Sequence, residues 1–147
     1  MRLRFLLDTN VLSEPRRPRP DPRVVATLTA NSDVVATAAP VWHELRFGVS
    51  RLPPSRRRDA LSAYLADVIA ASVPILPYDE EAADWHALER ARLAGLGQTP
   101  PFVDGQIAAI AAVNDLVLVS ANAADFQAFA GLEVVDWRTP PPRRRHA

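Results

Sequence analysis

Short apolar runs and helix-patterned stretches take turns along almost the whole sequence, and that alternation leaves few architectures open. The runs at 3–7, 33–38, 73–78, 116–120 and 133–136 have the length and composition of buried strands. Between the first two lies a turn of helix at 11–14, then a segment at 15–22 whose prolines forbid a regular element. Asp21-Pro22 reads as N-cap and first residue of a helix to about residue 30. Pro40 opens a helix through 49, and the Pro53-Pro54 break precedes a long amphipathic helix from 55 to about 72. Asp79 caps a helix at 80–94, a loop covers 95–101, and helices follow at about 102–113 and 123–129. Strands alternating with helices predict an α/β fold: a mainly parallel five-stranded sheet between two helical layers, α/β/α. There is no internal repeat, and 147 residues suffice for one core. The expected organisation is one domain over 1–139, followed by a disordered Pro/Arg-rich tail at 140–147.

Composition removes several function classes. With no cysteine, disulfides, thiolate zinc sites and cysteine nucleophiles are excluded. No apolar run approaches the ~18–20 residues of a membrane span. The apolar start is too short for a signal peptide and is cut off by Asp8, so a soluble, cytoplasmic protein is expected. Formal net charge is zero, which gives no overall pull towards nucleic acid. Yet the chain has no lysine, so its fixed positive charge is all arginine, with clusters at Arg16-Arg17-Arg19, Arg56-Arg57-Arg58 and Arg143-Arg144-Arg145. Guanidinium forks match phosphate oxygens, and a solvated surface explains such clusters equally well. His43-Glu44 begins like a zinc-protease helix, but Phe47 stands where the second histidine belongs. His43, His86 and His146 have no ligand spacing, and Trp42, Trp85 and Trp137 read as core or interface. No phosphate-binding glycine loop and no GxSxG elbow is present.

The acids are placed more tellingly. Asp8 directly follows the first strand. Ser120, Asn122 and Asp125 follow the fourth, Glu44 lies on the helix after the second, and Asp104 opens the helix before the fourth. Parallel sheets bind ligands outside the carboxyl ends of their strands. Carboxylates gathered there repel one another unless a cation neutralises them. A hard divalent ion such as Mg²⁺, which takes oxygen ligands and keeps several waters, suits such a set. Each acid has a plainer role open to it: Asp8 as a cap, Asp104 and Asp125 as first-turn helix acids, Glu44 as a solvent-reaching side chain on a partly apolar face. Their joint placement is what points to metal-assisted chemistry on a phosphodiester.

Four ordered blocks resemble the PIN-domain ribonuclease toxins of the VapC/FitB type. Phe5-Leu6-Leu7-Asp8-Thr9-Asn10-Val11-Leu12-Ser13-Glu14-Pro15 is similar to the family's opening signature, its Ser-Glu-Pro continuation to the FitB-like branch. Val41-Trp42-His43-Glu44-Leu45-Arg46-Phe47-Gly48, Asp104-Gly105-Gln106-Ile107-Ala108-Ala109 and Leu118-Val119-Ser120-Ala121-Asn122-Ala123-Ala124-Asp125 resemble the next three. The resemblance implies a PIN fold and Mg²⁺-dependent (or Mn²⁺-dependent) endonucleolytic cleavage of RNA. It carries over Asp8 and Asp104 as principal metal ligands and Glu44 as a further acid. Thr9, Asn10 and Ser120 support them, and the fourth position is divided between Asn122 and Asp125. It also implies a homodimer and a small antitoxin with a DNA-binding part, whose arginine would reach the carboxylates. Arg16, Arg17, Arg19 and Arg46 are then the candidates to steer RNA phosphates. The alternatives are a catalytically silent PIN scaffold and a haloacid-dehalogenase-like phosphatase, although the second acid of that phosphatase motif would fall at Asn10. A phospho-receiver would normally need a lysine that the chain lacks.

Overall fold

The computed structural model describes residues 2–138, so the expected tail lies outside the described residues. Five strands, β1 (Phe5–Leu7), β2 (Val35–Ala38), β3 (Ile75–Leu76), β4 (Val117–Val119) and β5 (Val134–Val135), form one sheet in the order β3-β2-β1-β4-β5. Every pairing is parallel, which takes the expected mainly parallel sheet to its limit. From β1 the chain steps one way to β2 and β3, then returns past β2 and β1 to reach β4. Right-handed crossovers place the connections of these two halves on opposite faces. The first half supplies α1 (Thr9–Leu12), α2 (Pro22–Ala30), α3 (Ala39–Ser50) and α4 (Arg56–Tyr64), the second α5 (Glu80–Gly95) and α6 (Phe102–Val113).

Central strands carry the core. Leu6, Leu7, Ala36, Ala38, Leu118 and Val119 are fully buried, as expected for strands covered on both sides. Helix α6 is buried over Ile107–Ala111, because it lies between the sheet and α5. Its Ile/Ala composition gives a thin, smooth helix that two neighbours can approach closely.

Several elements depart from expectation for identifiable reasons. Pro15 does not exclude regular structure: Glu14–Arg16 is a 3-10 turn with the proline in its first positions, where no N–H is required. The long helix expected to 72 becomes a π-helix over Leu65–Ala70. The wider turns change the phase of the inward face, and Leu65 and Ile69 both reach the core. β3 shrinks to two residues because Pro74 and Pro77 flank it and cannot donate to a ladder. The last expected helix is a 3-10 turn, Ala123–Phe126, from which Phe126 enters the core with Phe129 beyond it.

Helices α5 and α6 stop in the same way. At the end of α5, Gln98 N–H reaches back to Leu93 C=O (2.8 Å), with Gly97 at φ 74°. At the end of α6, Leu116 N–H reaches Ala111 C=O (2.9 Å), with Asp115 at φ 55°. Both are left-handed terminators, in which glycine is free of the Cβ penalty and aspartate is not. Replacing Asp115 with Gly is therefore expected to stabilise the protein by roughly 0.5–1 kcal/mol, and Gly97→Ala to destabilise it by a similar or larger amount. Urea unfolding of both variants checks the pair.

Candidate metal centre

Strand order reverses between β1 and β4, so the crevice beyond their carboxyl ends is where a parallel sheet offers a ligand site. The register pairs Leu7 with Val119, bringing the next residues, Asp8 and Ser120, level with each other. Ser120 Oγ donates to Asp8 Oδ2 at 2.8 Å in a buried contact, and Thr9 N–H donates to Asp8 Oδ1 at 2.8 Å. Asp8 is thus both a helix cap and an oriented carboxylate. A carboxylate has roughly four acceptor positions, so these two bonds leave each oxygen a lone pair. The loop after β4 is held in turn: Asn122 N–H donates to Ser120 Oγ (3.0 Å), and Ala121 N–H to Asn10 Oδ1 (3.1 Å). Below, Thr37 Oγ1 donates to Leu7 C=O (2.7 Å), satisfying the carbonyl at the strand end.

An open cleft of about 480 Å³ lies over these residues, lined by Asp8, Thr9, Asn10, Glu44, Val103, Asp104, Ile107 and Asn122. Glu44 comes from α3, exposed beside the buried Leu45, and Asp104 from the first turn of α6. Asp104 meets no basic residue in this lining. Burial pushes its carboxyl above the ordinary aspartate range, and the negative charges of Asp8 and Asp125 push it further. A first-turn position favours the charged form through the helix dipole, and here that help is outweighed.

The structure brings Asp8, Glu44 and Asp104 to one cleft with Asn122. Asp125 is exposed on the 3-10 turn and is not among the lining residues, though Asp104 feels its charge. Among the described residues no three His, Cys, Asp or Glu side chains stand close enough together to hold a metal ion by themselves. The lining nonetheless fits a hard cation: its donors are all oxygens, two of its carboxylates repel through a buried position, and no cation side chain answers them. An ion of the Mg²⁺ class needs only one or two carboxylates and completes its shell with water.

The arginine candidates separate. Arg16 stands over the Tyr64 ring (5.7 Å) in a groove beside the cleft. Arg17 turns to Glu14 (3.1 Å), which is buried and also accepts from Asp21 N–H. Arg19 is exposed and Arg46 half-buried, and neither lines the cleft or the groove.

Two supports escaped sequence reasoning. Arg138 donates to Ala121 C=O (2.9 Å) while paired with Asp136, bracing the loop after β4 from the end of β5. The Asp-x-Arg spacing was its one visible signal. His86, buried on α5, bonds Tyr78 Oη through Nδ1 (2.8 Å) and presses on α6 at Gly105. A Cβ at Gly105 would lie 2.1 Å from His86 Nε2, so only glycine allows α6 to sit this close, with Asp104 one residue away. Burial, and next the charge of Arg90, lowers the affinity of His86 for a second proton.

Fold and site define a class. The chain belongs to the PIN-domain family, whose model matches residues 5–132. Its relatives are toxins of the VapC/FitB type. Toxin FitB of Neisseria gonorrhoeae is 38% identical over 126 residues, covering 83% of this chain and 90% of that protein. The VapC ribonuclease Y4jK of Sinorhizobium fredii is 30% identical over 135 residues, covering 90% and 96%. Among solved structures, FitAB bound to an IR36 DNA fragment superposes with a TM-score of 0.83 at 33% identity, covering 95% of this chain and 99% of that one. DNA-bound VapBC from Salmonella typhimurium gives 0.79 at 26%, covering 92% and 98%.

Two outcomes are expected from the site. Because folding raises the Asp104 pKa, the folded protein holds more protons than the unfolded chain between the ordinary and raised values. Metal-free stability therefore falls as pH rises through that window. Asp104→Asn should raise the melting temperature of the metal-free protein at neutral pH by a few degrees, and the gain should vanish below the ordinary aspartate range; thermal scans in EDTA across pH check this. Ser120→Ala should weaken divalent-ion binding by about 10- to 100-fold, read by calorimetric titration, with the fold intact.

Proposed function

We propose that the chain is a divalent-metal-dependent endoribonuclease, the toxin of a type II toxin–antitoxin pair of the VapBC/FitAB kind. The observation that carries this reading is the oriented Asp8 carboxylate at the β1/β4 switch point, facing Asp104 across a cleft of oxygen donors without a balancing cation. The names of the relatives support it: one is a VapC ribonuclease, and another, from Salmonella typhimurium, is a tRNA(fMet)-specific endonuclease 26% identical over 136 residues.

In this reading Asp8 and Asp104 are the principal ligands of Mg²⁺ or Mn²⁺, Glu44 is a further acid, and Asn122 is a neutral oxygen donor. Asp125 contributes negative charge from outside the cleft. The ion, when bound, lowers the pKa of water and offsets charge on the phosphodiester. The protein's own part is orientation. Ser120 and the Thr9 amide fix the rotamer of Asp8, Asn10 and Arg138 hold the loop after β4, and the His86–Gly105 contact sets the depth of Asp104. Asn10 is occupied by Ala121 N–H, which leaves no second acid for a haloacid-dehalogenase-like phosphatase.

The same reading includes a cognate antitoxin with a DNA-binding domain, since the FitAB and VapBC structures are complexes bound to DNA. An antitoxin arginine entering the uncompensated acids would be a charge-assisted inhibitory contact. It further includes a homodimer and a cytoplasmic site of action.

With purified protein, total RNA and Mg²⁺, cleavage should disappear in EDTA. It should fall by at least about 100-fold in Asp8→Asn and in Asp104→Asn, beyond the usual loss of a supporting residue. Undiminished Mg²⁺-dependent cleavage by both variants would overturn the assignment.

A further inference from the structure

The acidic cleft contains no basic side chain, although a phosphodiester brought to it carries negative charge on both flanks. The adjoining groove, of about 330 Å³, shares Thr9 and Glu44 with the cleft and sets arginines around a largely apolar floor that includes Leu45, Val49 and Leu61. A chain laid over Asp8 and Asp104 enters this groove by passing those two residues. Three arginines line it from three elements: Arg16 after α1, Arg51 at the end of α3 and Arg57 at the start of α4. Arg51 and Arg57 are exposed, and neither has an acidic partner among the ion pairs of the described residues.

A second observation gives this surface its ligand class. Along α3, His43, Phe47 and Arg51 stand one turn apart. The His43 and Phe47 rings are stacked (6.2 Å between centroids, 14° between planes), and the Arg51 guanidinium lies 5.6 Å from the Phe47 centroid. Phe47 does not line the groove itself but stands next to Arg51, which does; it is 54% exposed, so a flat apolar ring faces solvent beside a cation. Aromatic faces next to arginines that follow a phosphate backbone are the chemistry of single-stranded nucleic-acid binding. An unpaired base has a free face to lay on such a ring, whereas the bases of a duplex are already stacked.

We propose that Arg16, Arg51 and Arg57, with the exposed ring of Phe47, form the subsite that holds single-stranded RNA flanking the bond over the acids. This rests on the ribonuclease reading and shifts the phosphate-holding role from Arg17, Arg19 and Arg46 to Arg51 and Arg57. The arginines supply a salt-sensitive part of the affinity and Phe47 a salt-insensitive part.

The test uses a fluorescein-labelled single-stranded RNA of mixed sequence, with binding followed by anisotropy in EDTA, so that no cleavage is needed. Arg51→Gln and Arg57→Gln should each weaken binding roughly three- to tenfold. Each should also lower the slope of log affinity against log salt by about 0.7. Phe47→Ala should weaken binding by roughly fivefold or more and leave the slope unchanged. Arg23→Gln, which removes the same charge from exposed α2, should do neither. Unlabelled duplex RNA should compete poorly. Circular dichroism confirms that these surface variants are folded.

Wild-type protein that does not bind the RNA, or slopes that fall equally in Arg23→Gln, would overturn the proposal. So would arginine variants that bind RNA normally while losing affinity for a co-expressed protein partner, since the groove is then a protein-docking surface. If the groove variants behave as expected but Asp8→Asn cleaves like wild type, the subsite stands and the metal-nuclease reading fails.

Discussion

Parallel pairing of β1 with β4 is the constraint on which the rest of this molecule depends. It aligns the ends of two fully buried strands from distant parts of the chain, and the residues just beyond them are Asp8 and Ser120. A one-residue slip would turn each side chain to the other face of the sheet, separating hydroxyl from carboxylate and setting Leu6 or Leu118 against the wrong helical layer. The hydrophobic effect therefore sets the geometry of the polar site. Thr37 and Arg138 extend the arrangement sideways, one closing the end of β1 from β2, the other fastening the loop after β4 from β5.

Against this order stands an electrostatic cost. Asp104 is partly withdrawn from water and faces other negative charges, and the close packing of α6 on His86 keeps it from retreating. The local preferences that would favour its ionised form, a helix start above all, are overcome by its neighbours. Such a position is poor for folding and well suited to receiving a cation. Arg17 and Glu14 show the opposite pattern, a buried carboxylate satisfied by a guanidinium and a backbone amide.

Much of this was legible in the sequence because it rests on local pattern. Apolar runs such as Leu118-Val119 announce strands, Asp21-Pro22 and Asp79 announce helix starts, and Asp8 and Asp104 fall next to such boundaries, while Glu44 lies midway along α3. What stayed hidden depends on side-chain direction and on tertiary contact. The choice between Asn122 and Asp125 turns on how a 3-10 turn aims residues three apart, and composition does not register that turn. Arg16, Arg17 and Arg19 look alike in a row, yet one joins a groove, one binds Glu14 and one remains at the surface. The π-helix at Leu65–Ala70 carries no distinct periodic signal, and Gly105 reveals its purpose only when His86 lies against it.

The Ser120–Asp8 contact also bears on how the protein is made. Its partners are 112 residues apart, and Asp104 too lies in the later part of the chain. During synthesis Asp8 emerges early but has no hydroxyl to orient it, no facing acid and no β4 at its side until nearly the whole domain has left the ribosome. A nascent or prematurely ended chain is therefore an incomplete catalyst by topology alone. For a protein whose proposed target is RNA, the material that surrounds it during translation, this delays completion of the site until the whole domain can fold.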